Sequence, residues 1–453
     1  MLKKNEIHEM LCDSLGLGAQ GVCHHEGMAV FVPNLLPGET ADVRIVKVEK
    51  RYAFGRVEHL KTCSADRQPP FCPSYRRCGG CVCQHMSYPA SLAFKRDQVR
   101  ELLRRIGKVE VEVPEVLGMD NPYHYRNKAT YPVAQLHGRL VCGFYAPRSH
   151  DLIPLPEMGC QIQDVSSLPA VNCVLSWAQT HHLPAYDELT GKGSLRYIMT
   201  RSNHEGRMIV CLVTTTAQLP CTSDLISSLQ EQVPCISSLF ICVNRNKGNA
   251  VMSDQLIHLW GDPVLHTLMC GLKFDVSPVS FLQVNHIQTE KLYSIALQFA
   301  GLTGSETVLD AYCGAGTISL MLSRHCAHVV GIEIVEDAIR NAWANARNNH
   351  CDNVEFHAGA VESVLPSLAE KNFHPDVVVL DPPRKGCEAS VIDALCLVRP
   401  SRIVYISCNP STLARDLSLF SGNGYHVRRI QCVDMFCWTD HIETIVLLQK
   451  LNS

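Results

Sequence analysis

The sequence predicts a multidomain α/β protein, and three changes in its pattern lead to that fold class. Residues 1–62 alternate short apolar runs with glycine-containing turns, which is typical of a small β-barrel. Residues 63–272 hold a dense group of cysteines followed by strand-like segments, which predict a β-rich central domain. Residues 273–453 alternate strands with helices and therefore predict a parallel, doubly wound sheet. At 453 residues the chain is too long for one ordinary core, so we expect these parts to be separate domains.

The bulk composition excludes several classes of protein. The N-terminus has basic residues with no apolar run behind them, and no stretch approaches the roughly 18 consecutive apolar residues of a membrane span. The 23 cysteines are an odd number and mostly stand singly among apolar residues, unlike those of a secreted disulfide scaffold. We therefore expect a cytoplasmic protein with no membrane contact.

The N-terminal strands AVFVP, ADVRIVKV and YAFGRVEHL predict an OB-like barrel, a fold that commonly binds oligonucleotides. Within it, Tyr52 and Phe54 offer stacking faces for bases. The net charge of the chain is −3, so affinity for nucleic acid must come from local patches. The first basic patch consists of Arg44, Lys47, Lys50, Arg51 and Arg56. A second lies at 94–108, largely within a predicted amphipathic helix at 89–107 that we expect to pack on the C-terminal domain.

The cysteine group contains the motif C-x5-C-x2-C at Cys72, Cys78 and Cys81, followed much later by Cys160. Three close thiolates and one distant thiolate suit either tetrahedral Zn²⁺ or a four-iron cluster. Cys63 is an alternative fourth ligand. The spacing differs from the C-x3-C-x2-C of radical enzymes, which disfavours radical chemistry.

The segment TVLDAYCGAGTISL predicts a strand, an acidic turn and a Gly-x-Gly loop that opens a helix. The next strand ends at Glu333, 23 residues after Asp310, where such folds place a carboxylate for ribose hydroxyls. A dinucleotide dehydrogenase is the competing interpretation. The loop lacks the third glycine of the dinucleotide fingerprint, and this favours S-adenosylmethionine.

Five segments together resemble one family, the RNA uracil-5-methyltransferases of the TrmA, RlmC and RlmD type, over nearly the whole chain. They are VSPVSFLQVN (276–285), VLDAYCGAGTISL, DPPRKG, YISCNPSTLARDL and DMFCWTDHIETI. The resemblance implies an N-terminal TRAM barrel and a C-terminal Rossmann-like class I methyltransferase domain. It also implies cofactor contacts at Gln283, Tyr312, Glu333 and Asp381. One departure is Ala360, which stands where related folds often have an acid for the adenine amino group, so that Glu362 or backbone groups serve instead.

The same resemblance implies that Cys408 is the nucleophile and Glu443 the general base. Uracil C5 is a poor nucleophile until a thiolate adds to C6, and a base must later remove the C5 proton. His441 is a further candidate for moving a proton, although we expect a structural hydrogen-bonding role for it.

The cysteine motif resembles most closely the RlmD-like 23S ribosomal RNA enzymes, which hold a [4Fe–4S] cluster on C-x5-C-x2-C and a later cysteine. The resemblance therefore implies cluster ligands at Cys72, Cys78, Cys81 and Cys160, 23S ribosomal RNA as substrate, and a monomeric enzyme. Because the motif is far from the transfer motifs in sequence, we expect it to shape the RNA-binding surface.

Three alternatives stay open. Transfer RNA is another possible substrate within the same family. An RNA cytosine-5-methyltransferase shares the covalent chemistry but usually has a cysteine where Arg384 stands, and here Cys387 is displaced. A non-catalytic RNA-binding iron–sulfur protein is the alternative from a different class.

Overall fold

The computed structural model describes residues 2–248 and 250–450. These residues form a closed barrel, two seven-stranded sheets and a separate two-stranded hairpin. No helix within them combines the length and the apolar composition needed to cross a bilayer.

The N-terminal strands close into a five-stranded barrel in the order β1-β2-β3-β5-β4, which confirms the barrel predicted from the sequence. The barrel strands are β1 (Ile7–Leu15), β2 (Gln20–His25), β3 (Met28–Pro33), β4 (Thr40–Val48) and β5 (Tyr52–Leu60), with a 3-10 turn at Leu17–Ala19. Val30, Val43 and Ile45 fill the interior. Gly55 faces this core, where a Cβ atom would come within 2.3 Å of a Val43 methyl group. The close packing of a small barrel thus requires glycine at this position.

The central sheet has the strand order β12-β11-β10-β9-β6-β7-β8. Its strands are β6 (Lys128–Leu136), β7 (Arg139–Tyr145), β8 (Leu152–Pro154), β9 (Leu195–Ser202), β10 (Met208–Thr214), β11 (Ile236–Val243) and β12 (Leu256–Gly261). Two helices that the sequence pattern did not predict, α2 (Ser167–Thr180) and α3 (Thr222–Gln232), cover one face. Their pattern is weak because α2 has a proline in its first turn and α3 buries only Leu225 and Leu229.

The C-terminal sheet has the order β17-β16-β15-β18-β19-β21-β20 and confirms the predicted doubly wound architecture. Its strands are β15 (Thr307–Ala311), β16 (His328–Glu333), β17 (Val354–Ala358), β18 (Val377–Leu380), β19 (Arg402–Ser407), β20 (Tyr425–Val433) and β21 (Glu443–Lys450). Its helices are α4 (His286–Ala300), α5 (Thr317–Ser323), α6 (Glu336–Asn348), α7 (Val361–Ala369), α8 (Ala389–Leu397) and α9 (Pro410–Gly422). The first five strands are parallel, as predicted. β21 is antiparallel to both of its neighbours, since the loop 434–442 joins it to β20 as a hairpin.

Helix α1 (Tyr88–Leu102) continues through a π-helical turn at Leu103–Gly107 and packs on the C-terminal sheet domain. A Cβ atom at Gly107 would lie 3.0 Å from the Ala414 carbonyl of α9, so the two helices approach closely at this glycine. Val99 and Leu103 share a core with Leu413 and Leu417.

The other face of the central sheet shares one hydrophobic core with α4 and with the hairpin β13 (Leu265–Met269) and β14 (Leu272–Val276). The predicted boundary between residues 272 and 273 falls within this hairpin. The division into 1–62, 63–272 and 273–453 stays a prediction.

Candidate active site

Four of the predicted site residues follow neighbouring parallel strands. Tyr312 follows β15, Glu333 ends β16, Asp381 follows β18 and Cys408 follows β19. Because β16, β15, β18 and β19 are adjacent and parallel, these residues lie along one edge of the sheet. Ligands of open α/β sheets bind at this carboxyl edge.

The Gly-x-Gly loop is held by hydrogen bonds to β16. The backbone N–H groups of Tyr312 and Cys313 donate to the Ile332 carbonyl at 2.9 and 3.0 Å, and the Gly314 N–H donates to Glu333 Oε2 at 3.2 Å. Tyr312 adopts a φ of +75°, a left-handed conformation that costs a non-glycine residue about 1 kcal/mol or more. These hydrogen bonds join the turn that follows β15 to the end of β16, where Glu333 lies.

Gln283 lies in the segment before α4, and Asn127 of the central domain holds that segment in place. The Asn127 side-chain amide donates to the Gln283 carbonyl at 3.1 Å, and its backbone N–H donates to the Val284 carbonyl at 2.8 Å. The side chain of Asn285 donates to the Met435 carbonyl at 3.2 Å. No sequence pattern pointed to Asn127, since its contact spans two domains.

Three carboxyl groups lie at this edge of the sheet, the buried Asp310 and Glu443 and the half-buried Asp381, and Asp310 was not predicted as a site residue. Burial raises the pKa of Asp310 to about 7 against the opposing effect of a Ser319 hydrogen bond, and Asp310 Oδ1 has no hydrogen-bond partner. Burial and the nearby Asp310 raise the pKa of Asp381 to about 7. Burial and the nearby Asp381 raise the pKa of Glu443 well above its usual value. A crevice built in this way favours a ligand that brings positive charge.

Tyr293 of α4 is a further site-adjacent residue that the sequence did not reveal. Burial raises its pKa well above 10, and the charges of Asp381, Asp310 and Glu443 add to that shift. Tyr293 is therefore in the immediate neighbourhood of all three acids.

Cys408 lies between the acids and a guanidinium group. Burial and the charges of Glu443 and Asp381 together raise the pKa of its thiol to about 11, against the opposing charge of Arg384. The two strands that position Cys408 and Glu443 are direct neighbours, with Ser407 paired to Thr444. By contrast, Cys387 is only 3% exposed, and its thiol lies against Tyr405 and Tyr312. Cys408 is thus the better exposed of the two candidate nucleophiles.

The four predicted metal ligands Cys72, Cys78, Cys81 and Cys160 line one cavity of about 310 Å³. Arg384, Phe436 and His441 of the C-terminal domain line the same cavity, so the cysteines adjoin the transfer motifs in space despite their distance in sequence. Cys63 is exposed and is not among the lining residues. His441 Nε2 lies 3.5 Å from an Arg384 nitrogen, within the wall of this cavity.

No three of the sulfur atoms of these four cysteines lie mutually within 4.8 Å. Among residues 2–248 and 250–450, only one group of three or more potential ligand atoms lies mutually within 4.8 Å, and it includes none of the four. Thiolates on one tetrahedral Zn²⁺ at about 2.3 Å would be only about 3.8 Å apart. No three of the four sulfur atoms therefore have the spacing of ligands on one zinc ion.

The loop 434–442 forms the wall between the cysteines and Glu443, and the N-terminal half of the chain holds it. Lys95 Nζ lies 2.6 Å from Asp434 Oδ1, both side chains being fully buried, and also donates to the Phe436 carbonyl at 3.0 Å. The backbone N–H groups of Val82 and Cys83, just after Cys81, each donate to the Trp438 carbonyl at 3.0 Å. The cysteine segment thus directly supports the loop that leads into Glu443.

The barrel surface carries acidic as well as basic side chains in the region where the sequence suggested a basic patch. Glu58 pairs with both Arg44 and Arg56 at 2.8 and 2.7 Å, and Glu49 pairs with Lys47 at 2.6 Å. The local excess of positive charge is consequently smaller than the count over 44–56 indicated. The rings of Phe31, Tyr52 and Phe54 cluster with centroids 5.5 to 5.9 Å apart, and Tyr52 is 40% exposed.

Comparisons with known proteins agree with this architecture. The family model described as tRNA (uracil-5-)-methyltransferase matches residues 271–451, and the TRAM domain model matches residues 9–57. A Listeria innocua protein described as an uncharacterized RNA methyltransferase is 43% identical over 449 residues, which cover 99% of this chain and 98% of that protein. A Clostridium tetani protein with the same description is 44% identical over 448 residues, covering 99% and 97% of the two chains.

A solved structure of a tRNA methyltransferase matches nearly the whole chain. It is that of the Pyrococcus abyssi tRNA (uracil-54, C5)-methyltransferase in complex with S-adenosyl-L-homocysteine, with a TM-score of 0.76 and 24% identity. The match covers 97% of this chain and 99% of that one, and it shows that the two share a fold.

Proposed function

Because the chain belongs to the tRNA (uracil-5-)-methyltransferase family, we propose that it methylates C5 of a uridine in 23S ribosomal RNA through a covalent adduct between Cys408 and C6. Family membership confirms the resemblance predicted from the sequence motifs. The protein is an S-adenosylmethionine-dependent RNA methyltransferase with an N-terminal TRAM domain.

The placement of Cys408 and Glu443 at the ends of neighbouring strands is the main support for the covalent mechanism. The Cys408 thiolate adds to C6, which makes C5 nucleophilic as part of an enolate. S-adenosylmethionine supplies the methyl group as an electrophilic sulfonium. Glu443 then takes the C5 proton, the C5–C6 double bond re-forms, and the Cys408–C6 bond breaks to release 5-methyluridine.

We assign cofactor binding to Gln283, Tyr312, Glu333 and Asp381. The acids Asp310, Asp381 and Glu443, whose pKa values are all raised, favour a cation at this edge, as a sulfonium requires. The unpartnered Asp310 Oδ1 and the tight turn at Tyr312 also fit a ligand held closely by backbone and carboxylate groups. Glu333, already aligned by the Gly314 N–H, suits the ribose hydroxyls.

We assign a [4Fe–4S] cluster to Cys72, Cys78, Cys81 and Cys160, with zinc as the alternative. The position of all four cysteines in the wall of one cavity of about 310 Å³ supports the cluster. The position of Cys63 outside that cavity supports Cys160 as the fourth ligand. The bonds from Val82 and Cys83 to Trp438 suggest a role beyond RNA binding: the loaded cysteine segment also stabilises the loop that precedes the base.

The nucleophile is tested with RNA that contains 5-fluorouridine. Fluorine at C5 cannot leave as a proton, so the wild-type enzyme with cofactor should form an adduct that survives denaturing electrophoresis. Cys408→Ala should lose the adduct and still bind cofactor, whereas the control Cys387→Ala should keep the adduct. An undiminished adduct in Cys408→Ala would falsify the assignment.

Ribosomal RNA is proposed as the substrate because the cysteine motif resembles that of the iron–sulfur members of the family, the RlmD-like enzymes. Transfer RNA is the second candidate, and the description of the matching family model favours it. The test offers large-subunit RNA fragments and bulk transfer RNA, both unmodified, in parallel to the full-length enzyme. Labelling of transfer RNA alone would exclude the ribosomal proposal. A cytoplasmic location and a monomeric state belong to the same proposal.

The contribution of the barrel is tested at its exposed basic residues. Lys50→Gln/Arg51→Gln removes two positive charges, so the slope of log affinity against log salt should fall by roughly 1 to 2. Lys371→Gln/Arg347→Gln is the matched control, because both residues lie near the C-terminal ends of helices and hence at the edge of the sheet away from Cys408. Equal slopes for both double variants would exclude RNA binding by this part of the barrel.

A further inference from the structure

A second group of metal-ligand side chains lies in the central domain, outside the cysteine cavity. His181, Cys221 and Asp224 each offer one ligand atom, and these three atoms lie mutually within 4.8 Å. His181 follows the C-terminal end of α2, and Cys221 and Asp224 lie at the beginning of α3. The three donors therefore come from two helices that are separated in sequence and packed together on one face of the sheet.

The geometry within this triad matches that of ligands around one small ion. His181 Nε2 lies 3.4 Å from Asp224 Oδ2, beyond the 2.7–3.2 Å of an ordinary N–H···O hydrogen bond. Two ligands at about 2.0–2.1 Å from a tetrahedral Zn²⁺ would be separated by about 3.3–3.4 Å. The Cys221 sulfur lies within 4.8 Å of both other atoms, so it is at most about 1.2 Å beyond the roughly 3.6 Å that separates a sulfur from a nitrogen or oxygen ligand on zinc.

The backbone around the triad is fixed by contacts that do not involve the three donor atoms. Trp177 Nε1 donates to the Cys221 carbonyl at 3.0 Å, which ties the beginning of α3 to α2. The backbone N–H of His181 donates to the Trp177 carbonyl at 3.0 Å. Cys221 has a φ of +43°, an unfavourable conformation for a side-chain-bearing residue. Trp177 thus holds both helix ends in the arrangement that brings the donors together.

We propose that His181, Cys221 and Asp224 bind a divalent transition-metal cation of the Zn²⁺ class, with water in the fourth position. Imidazole, thiolate and carboxylate are the three protein ligand types that zinc accepts, and three protein ligands with one open position is an ordinary zinc arrangement. The site joins α2 to α3 on the outer face of the central sheet. It is separate from the cysteine cavity and from Cys408, so its loss should leave methyl transfer unchanged.

The test uses full-length enzyme purified without oxygen and titrated with Co²⁺, which replaces Zn²⁺ and reports thiolate ligation by a near-ultraviolet charge-transfer band. Wild-type protein should take up one Co²⁺ with this band, and excess Zn²⁺ should displace it. Cys221→Ser should lose the band, and His181→Gln and Asp224→Asn should each weaken binding at least tenfold. Cys235→Ser, a cysteine of the same domain outside the triad, is the matched control.

The double variant Cys78→Ser/Cys81→Ser distinguishes Co²⁺ binding at the triad from binding in the cysteine cavity. It should still bind one Co²⁺ at the triad. Zn²⁺ should also raise the melting temperature of the wild-type protein and not that of Cys221→Ser, since a ligand that binds only the folded state stabilises it. If Cys221→Ser binds Co²⁺ like the wild type, or if neither protein binds it below about 100 μM, the triad is a plain surface ion pair and the proposal is wrong.

Discussion

The side-chain amide of Asn409 donates a 3.0 Å hydrogen bond to the main-chain carbonyl of Arg384. Thr412 Oγ1 donates to the same carbonyl at 3.2 Å. The residue after Cys408 is therefore joined to the loop after Asp381, which keeps Arg384 near Cys408. Arg384 is the side chain that lowers the pKa of this thiol against burial and two carboxylates.

Arg384→Gln should make Cys408 less reactive, because it removes the positive charge that favours the thiolate. With a pKa of about 11, only about 0.1% of the thiol is ionised at pH 8, so a small rise in pKa lowers the alkylation rate several-fold. The measurement is the rate of iodoacetamide labelling at Cys408 by peptide mass spectrometry. Lys385→Gln is the control, since Lys385 pairs with Glu388. Equal rates in the two variants would show that Arg384 does not act on the thiol.

Glu443→Gln should slow proton removal from C5 by a factor on the order of 10² to 10⁴ while the earlier addition still occurs. Covalent enzyme–RNA should therefore accumulate on ordinary uridine substrate, which the wild-type enzyme releases. Single-turnover gels under denaturing conditions measure this species. Near-normal turnover with no trapped species would exclude Glu443 as the base.

Cofactor affinity should rise with pH through about 7. Asp310 and Asp381 have pKa values of about 7 in the free protein, so both are largely neutral below this pH and anionic above it. A sulfonium cation favours the anionic forms, and its binding between pH 6 and 8 should release protons. Calorimetry should show a steeper pH dependence for S-adenosylmethionine than for the neutral-sulfur product S-adenosylhomocysteine. Identical dependences for the two would contradict this account of the acids.

Enzyme purified without oxygen should be brown and contain about four irons, and Cys78→Ser or Cys81→Ser should remove them. Cys63→Ser should retain the iron, because Cys63 does not line the cavity. Metal analysis and the visible absorption spectrum are the measurements. If metal analysis finds one zinc and no iron, the four cysteines form a structural zinc site and not a cluster. The methyltransferase assignment would be unaffected.

Lys95→Met should leave Asp434 as an unpaired buried charge and lower the free energy of unfolding by about 3–5 kcal/mol. Lys95→Met/Asp434→Leu should regain part of that loss, since neither charge is then unpaired. If the loop 434–442 supports the base, Lys95→Met should also accumulate covalent enzyme–RNA more than a surface variant of equal stability. Parallel loss of adduct formation and turnover would instead indicate general damage to the fold.

The N-terminal barrel and the parallel C-terminal sheet could be predicted from the sequence, because both depend on local patterns of apolar residues and glycines. The family resemblance assigned Tyr312, Glu333, Asp381 and Cys408, and the structure places each of them at the end of an apolar parallel strand, where neighbouring strand ends meet. The environment of these residues was not predictable in the same way. Lys95 and Asp434 are 339 residues apart, and neither stands in a pattern that indicates a buried pair. The proximity of Cys160 to Arg384 likewise depends on how the central and C-terminal sheets pack.

The pairing of Ser407 with Thr444 also sets a limit on how this enzyme can be altered. Successive side chains of a strand point to opposite faces, so a slip of β21 by one residue would turn Glu443 away and present its neighbour instead. Insertions in β19 or β21 would separate Cys408 from Glu443 in a single step. Insertions within 434–442 would spare the ladder but disturb the Lys95–Asp434 pair and the hydrogen bonds to the Trp438 carbonyl. Any redesign of this part of the chain therefore has to keep both the strand register and the contacts of the loop.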